Sequence, residues 1–223
     1  MNLHRNPLQR VGTPLDEAEA AVVLVHGRGA SPRDILRLAS VLAVDRVTYL
    51  APAASGNTWY PYSFLASLSQ NEPWLSAAVE AVGTACDAAI DAGISRDRLF
   101  VGGFSQGACL SLEFVARNPG RYGGVFAFSG GLIGNGEIPD AEPPFDKRFD
   151  YEGAMDGTPV FLGCSDQDAH IPVERVHQST DVFRRLGADV TERIYPGLGH
   201  TINEDEIEFA RKLIRAKIEG LRA

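Results

Sequence analysis

Cysteine is scarce: Cys86, Cys109 and Cys164 are the three in 223 residues. Odd in number and far apart, they exclude a disulfide framework and a dedicated zinc cage, and they suit reduced thiols in a core. Neither a metal nor another cofactor is expected. Positive charge is also short, with 21 Lys and Arg against 29 Asp and Glu and a net charge of -8. A surface of that sign repels nucleic acid and anionic membrane on average, so neither is expected as a partner. No apolar run approaches the roughly 18 residues of a membrane span, and Met1 to Pro7 lack the apolar stretch of a signal peptide. A cytoplasmic protein without integral membrane association is therefore expected. Internal repeats and low-complexity tracts are missing too.

What is present is a regular alternation. Short β-branched or aromatic runs recur at Val22 to Val25, Val47 to Leu50, Leu99 to Val101, Val125 to Phe128, Val160 to Leu162 and Val190 to Ile194, separated by helical patterns. Strands apolar on both faces and spaced by helices predict a three-layer α/β fold with a mostly parallel central sheet, in one domain over 1–223. Helix starts are punctuated by Ser31-Pro32 and by Asn203 with Glu206, a capping-box spacing ahead of Ile207, Ala210, Leu213, Ile214 and Ile218. Pro73 to Ala92 and Pro172 to Leu186 predict two more helices. Leu75, Ala78, Val79, Val82, Cys86 and Ile90 line the inner face of the first, and Val173, Val176, Phe183 and Leu186 that of the second. The stretches 51–72 and 130–157 break the pattern and are candidate walls of a binding site at the strand C-termini.

Gly103-Phe104-Ser105-Gln106-Gly107 has the form G-x-S-x-G, a strand-to-helix turn that exposes a serine hydroxyl, with glycines where a side chain would collide across the turn. The pentamer alone is a weak signal. A strand-like run before it and a helical face from Ala108 to Ala116 after it supply the required context. Ala127-Phe128-Ser129-Gly130-Gly131 is a looser match with no helix behind it, so Ser129 is read as structural or as part of a pocket wall.

A serine hydroxyl needs a histidine to take its proton and a carboxylate to orient that histidine. In this architecture the order is serine, acid, histidine. His4 and His26 precede the serine, His177 sits on the solvent face of a helix, and His170 lies within the acid loop itself. That leaves His200, in the glycine-rich run Gly197-Leu198-Gly199-His200. The loop after Val160 to Leu162 offers two carboxylates, Asp166 and Asp168; a solvated loop, a helix cap or a metal site with His170 are the competing readings. The developing oxyanion needs the backbone N–H of Gln106 and a second from an earlier strand's loop, which His26-Gly27-Arg28-Gly29 can supply. A dinucleotide loop at Gly27 is rejected because position 32 is proline.

Together these residues resemble the phospholipase/carboxylesterase group of α/β-hydrolases, which includes acyl-protein thioesterases. The likeness rests on His-Gly-x-Gly at 26–29, Gly-Phe-Ser-Gln-Gly at 103–107, the Asp-x-Asp loop before Ile171-Pro172, and Gly-Leu-Gly-His at 197–200. It implies an α/β-hydrolase fold, Asp168 as the acid with Asp166 in support, and the amides of Arg28 and Gln106 as oxyanion donors. Ala30 and Ala169 depart from the family pattern, as does Arg28 where leucine is usual. An Arg28 side chain either greets an acidic group on a substrate or pairs with Asp34 or Asp166, and the ion pair is the favoured reading. The chain is thus expected to be a serine carboxylesterase acting on small esters, thioesters or lysophospholipids through Ser105, His200 and Asp168. Trp59, Tyr60, Phe64, Leu132, Ile133 and Leu198 are the candidate pocket residues, each with core packing as its alternative. A lactonase or perhydrolase with the same triad and a non-catalytic ligand-binding scaffold are the rivals. A homodimer is left open, and Glu113 is expected to face solvent.

Overall fold

The computed structural model describes residues 3, 4 and 6–220. Its strands are β1 (Gln9–Gly12), β2 (Ala20–Val25), β3 (Val47–Ala51), β4 (Leu99–Phe104), β5 (Gly124–Phe128), β6 (Gly136–Glu137), β7 (Lys147–Arg148), β8 (Pro159–Ser165) and β9 (Asp189–Tyr195). The helices are α1 (Pro32–Ile35), α2 (Arg37–Leu42), α3 (Leu68–Asn71), α4 (Trp74–Asp91), α5 (Gln106–Arg117), α6 (Val173–Arg185) and α7 (Glu204–Glu219). Seven strands form one sheet in the order β1-β3-β2-β4-β5-β8-β9, parallel except for the β1 edge; β6 and β7 pair separately.

Period-two alternation explains the three layers. Along β2, Ala21, Val23 and Val25 enter one core with α4, α5 and α6, while Ala20, Val22 and Leu24 enter a second with α1, α2 and α7. Because both faces are covered, the strand reads as an unbroken apolar run. The second core carries a row of rings across neighbouring strands, Phe100 on Phe126 on Phe128, which meets Phe161 edge-on and continues to Phe209 of α7.

The expected helices form with small differences. The one beginning at Ser31-Pro32 is broken into α1 and α2 at Leu36. On α4 the buried seam ends at Ala89 instead of Ile90, which is exposed. The α7 capping box forms: Asn203 Oδ1 accepts the Glu206 N–H at 3.0 Å, and Glu206 Oε2 accepts the Asn203 N–H at 2.8 Å. Among the described residues no helix is long and apolar enough to cross a membrane.

Chain connections step outward from β2 to β3 and then return to place β4 on the other side of β2. At such a reversal the loops leaving adjacent strand ends diverge and open a crevice. Val25, the last residue of β2, is paired with Gly103 near the end of β4. The loop 26–30 and the turn at Ser105 therefore emerge side by side.

Candidate active site

Ser105 sits at the turn from β4 into α5 with φ 57° and ψ -122°. A positive φ is strained for a residue with a Cβ and holds only where the surroundings over-determine it. Here the serine N–H donates to Phe128 O at 3.0 Å. The flanking glycines are required by close approach: a Cβ on Gly103 would lie 2.5 Å from Val25 O, and one on Gly107 closer still to the same oxygen. The backbone of β2 thus fixes the turn that presents the hydroxyl.

His200 Nε2 lies 2.8 Å from Ser105 Oγ, and His200 Nδ1 lies 2.7 Å from Asp168 Oδ2. Burial works against the Asp168 carboxylate, but hydrogen bonds from His200 and from the backbone N–H groups of His170 and Ile171 hold its pKa below the ordinary value. An ionised Asp168 only accepts, so Nδ1 of His200 carries the proton and the lone pair of Nε2 faces the serine O–H. The imidazole is further held between Phe104, 4.8 Å away, and the edge of His170, 4.7 Å away.

The histidine loop is fastened to the acid loop. Ser165 Oγ accepts the Gly199 N–H at 3.0 Å and Asp166 Oδ1 accepts the Gly197 N–H at 2.7 Å. Gly197 and Gly199 take φ 66° and 77°, values that glycine adopts without penalty. Asp166 therefore supports the loop that carries His200 and does not touch the histidine itself.

Neither the Arg28 nor the Gln106 backbone N–H has a protein acceptor among the described residues. Gln106 is the first residue of α5, where no intrahelical partner exists. The loop bearing Arg28 is stapled from below. His26 is buried with its Nε2 accepting the Ala54 N–H at 3.2 Å, so Nδ1 is the protonated nitrogen and donates to Gly27 O at 2.9 Å. Burial lowers the His26 pKa and keeps the ring neutral. Trp59 Nε1 donates to His26 O at 2.9 Å and Gly29 N to Asn57 O at 2.7 Å. The Gln106 side chain bonds the Trp59 N–H and Tyr60 O, a clamp that the elbow pattern alone does not reveal.

A cavity of about 680 Å³ opens over Ser105 and His200. Of the candidate pocket residues, Tyr60 and Phe64 line it. Trp59, Leu132, Ile133 and Leu198 do not. Trp59 is fully buried beneath the 26–30 loop because its indole N–H is spent there, and Leu132 and Ile133 are buried in the core against α5 and α6. The stretch 130–157 is drawn away from the cavity by buried charges: Glu113 accepts the N–H groups of Ile133 and Gly134 at 3.1 Å, and Arg175 donates to Leu132 O and Pro144 O. Phe104, Cys109, His170 and Ile171 take the wall positions instead. Cys109, one helical turn after Ser105, has a sequence signal in that spacing, whereas His170 lies in the acid loop where spacing gives none. Burial raises the Cys109 thiol pKa to about 12, which leaves it inert.

Three further expectations are corrected or refined. Glu113 does not face solvent but is fully buried, paired with Arg117 at 2.7 Å and with the Tyr151 hydroxyl at 2.7 Å. Arg28 makes no ion pair with Asp34 or Asp166; its guanidinium donates to Pro61 O at 2.9 Å and Tyr62 O at 2.6 Å. Asp34 is instead occupied by Ser31 and Asp166 by Gly197. Ser129 is buried, its N–H given to Gly163 O at 2.7 Å, in keeping with a structural role.

A family model described as phospholipase/carboxylesterase matches residues 6–218. An acyl-protein thioesterase 1 from Debaryomyces hansenii is 27% identical over 230 residues, spanning 93% of this chain and 95% of that protein. One from Gibberella zeae is 31% identical over 129 residues, 58% of this chain, and the match spans 52% of that relative's length. A solved phospholipase/carboxylesterase from Dyadobacter fermentans shares 40% identity with a TM-score of 0.87, covering 96% of this chain and 99% of its own. The architecture is accordingly the α/β-hydrolase fold.

Proposed function

This chain belongs to the phospholipase/carboxylesterase family, and from that premise we propose that it cleaves carboxylic esters or thioesters through an acyl-enzyme. The observation that carries the reading is the unbroken line from Ser105 Oγ through His200 to Asp168 beside two unengaged backbone N–H groups.

In this reading Ser105 Oγ bonds to the substrate carbonyl carbon while its proton passes to His200 Nε2. Asp168 steadies the imidazolium so formed. The carbonyl oxygen becomes an oxyanion, which the N–H groups of Arg28 and Gln106 receive as hydrogen-bond donors already oriented before reaction. Collapse re-forms the carbonyl, breaks the bond to the leaving oxygen or sulfur, and returns the proton from His200 to that atom. Water then repeats the sequence on the acyl-serine, releasing the acid and restoring the serine. The names of the relatives, thioesterase and carboxylesterase, support both ester and thioester as substrate classes.

The test is hydrolysis of 4-nitrophenyl acetate, butyrate and octanoate and of one acyl thioester by wild type and by Ser105→Ala. Turnover by wild type with at least a thousandfold loss in the variant is the expected result. A folded wild type that turns over none of them would remove the reading and leave a ligand-binding scaffold.

A further inference from the structure

The Arg28 side chain stands apart from every other group in the cavity. It is the one cationic residue on a wall that contains no Asp or Glu among the described residues, in a chain whose net charge is -8. Its two hydrogen bonds go to backbone carbonyls, which are neutral: Nη1–H to Pro61 O and Nη2–H to Tyr62 O. These bonds fix the plane of the guanidinium without cancelling its charge. Of its five N–H donors two are engaged, so three remain. No carboxylate among the described residues lies within ion-pair distance to use them.

An oriented guanidinium with spare donors is matched in geometry and charge by a carboxylate, which it can bind through two parallel N–H···O bonds. Position adds a length constraint. The backbone N–H of this same residue is the proposed oxyanion donor, so the guanidinium lies no further from the reacting carbonyl than one arginine side chain reaches. The carbonyl contacts come from 61 and 62, in the segment that also supplies Tyr60 and Phe64 to the wall. Ser105, the Tyr60 and Phe64 rings and Arg28 line one cavity, with the guanidinium 6.0 Å from the Tyr60 ring, so a substrate attached at Ser105 can reach both an apolar wall and the cation.

We propose that the site selects short esters or thioesters carrying a carboxylate, and that Arg28 is the residue that binds it. The proposal rests on the esterase reading for its turnover but not for its binding step. A single arginine on an open cavity is screened by salt, so the selectivity is largest at low ionic strength and shrinks as salt is added.

The experiment compares kcat/KM for matched pairs at low ionic strength: mono-4-nitrophenyl glutarate against 4-nitrophenyl pentanoate for a carboxylate on the acyl side, and 4-acetoxybenzoate against 4-acetoxybenzamide for one on the alcohol side. Each pair is measured with wild type, Arg28→Gln and Arg28→Lys. The readout is the ratio of anionic to neutral substrate, which is insensitive to any change in the loop that affects both members equally. The expected result is a fall of fivefold or more in that ratio for one pair in Arg28→Gln, with Arg28→Lys intermediate and the wild-type ratio reduced in 0.5 M NaCl. A smaller change in both pairs overturns the proposal. Should Arg28→Gln not fold, or should wild type turn over no ester at all, NMR titration of wild type with glutarate and glutaramide decides. Glutarate shifting resonances around Arg28 at concentrations where glutaramide does not supports the proposal even if the esterase reading has failed; equal or absent shifts overturn it.

Discussion

At the scale of single residues, the proposed chemistry rests on Ser105, His200 and Asp168, and the stability risk lies in Glu113. Asp168→Asn keeps the shape of the acid but replaces an ionised acceptor with an amide, so His200 loses the partner that fixes its tautomer. The expected outcome is a drop in kcat of about 10³–10⁴ with little change in melting temperature, read by ester hydrolysis beside thermal unfolding. Glu113→Ala is expected to do the reverse of this to stability. It strands the N–H groups of Ile133 and Gly134, the Tyr151 hydroxyl and Arg117, a loss of about 3–5 kcal/mol that should appear as a large fall in the urea midpoint. That Ser105, His200 and Asp168 meet was legible in the sequence because a nucleophile, base and acid of this kind must come in a certain order from certain loops. Glu113 and Arg175 were not, because their partners lie in 130–157, whose glycines and prolines show no apolar period. A charged residue on a helix then reads as solvated until the loop that covers it is known.

At the scale of elements, the turn into α5 and the start of α7 make separate demands. Gly107→Ala places a methyl group against Val25 O and His26 O, the backbone that leads into the loop of Arg28. Melting temperature and esterase activity should both fall, since the same displacement loosens β2 and misplaces the proposed oxyanion donor of Arg28. Glu206 caps α7 through one carboxylate oxygen while the other, fully buried, has no hydrogen-bond partner among the described residues and rests on Gly163 of β8. Burial raises its pKa to about 7, from an ordinary value near 4.5. A carboxyl raised in the folded state favours folding most below the unfolded pKa, and that contribution is lost as pH rises through 7. Glu206→Gln keeps an acceptor for Asn203 and removes the titration. The variant should lose less stability than wild type between pH 5.5 and 8, a difference of up to about 2 kcal/mol by urea unfolding at the two pH values. Parallel slopes in the two proteins would contradict this account. The capping box was legible from Asn203 and Glu206; the burial of Glu206 was not, since an acid in a first helical turn is ordinarily exposed.

For the molecule as a whole, the order of strands brings the pieces together. Reversal at β2 and β4 sets the loop of Arg28 beside Ser105, and the neighbouring β8 and β9 deliver Asp168 and His200 from the same end of the sheet. Five of the parallel strands were legible because both faces are covered and each reads as a largely apolar run; β9, a half-buried edge strand, was legible from its β-branched Val190, Thr191 and Ile194. The antiparallel edge strand β1 was not: Gln9, Arg10, Val11 and Gly12 are all exposed, and four residues give alternation too little length. Walls of the cavity were half legible for a related reason. Apolar side chains in 51–72 and 130–157 look alike in sequence, and what separates Tyr60 and Phe64 from Leu132 and Ile133 is which loop is pinned by buried charge.

On the proposed mechanism, this architecture activates one serine out of all those in the chain. Treatment of the folded protein with a fluorophosphonate, followed by peptide mass spectrometry, tests it directly. One adduct per chain is expected, on Ser105, abolished in Ser105→Ala and strongly slowed in His200→Ala. No adduct on a folded protein, or an adduct on Ser129 in place of Ser105, would contradict it.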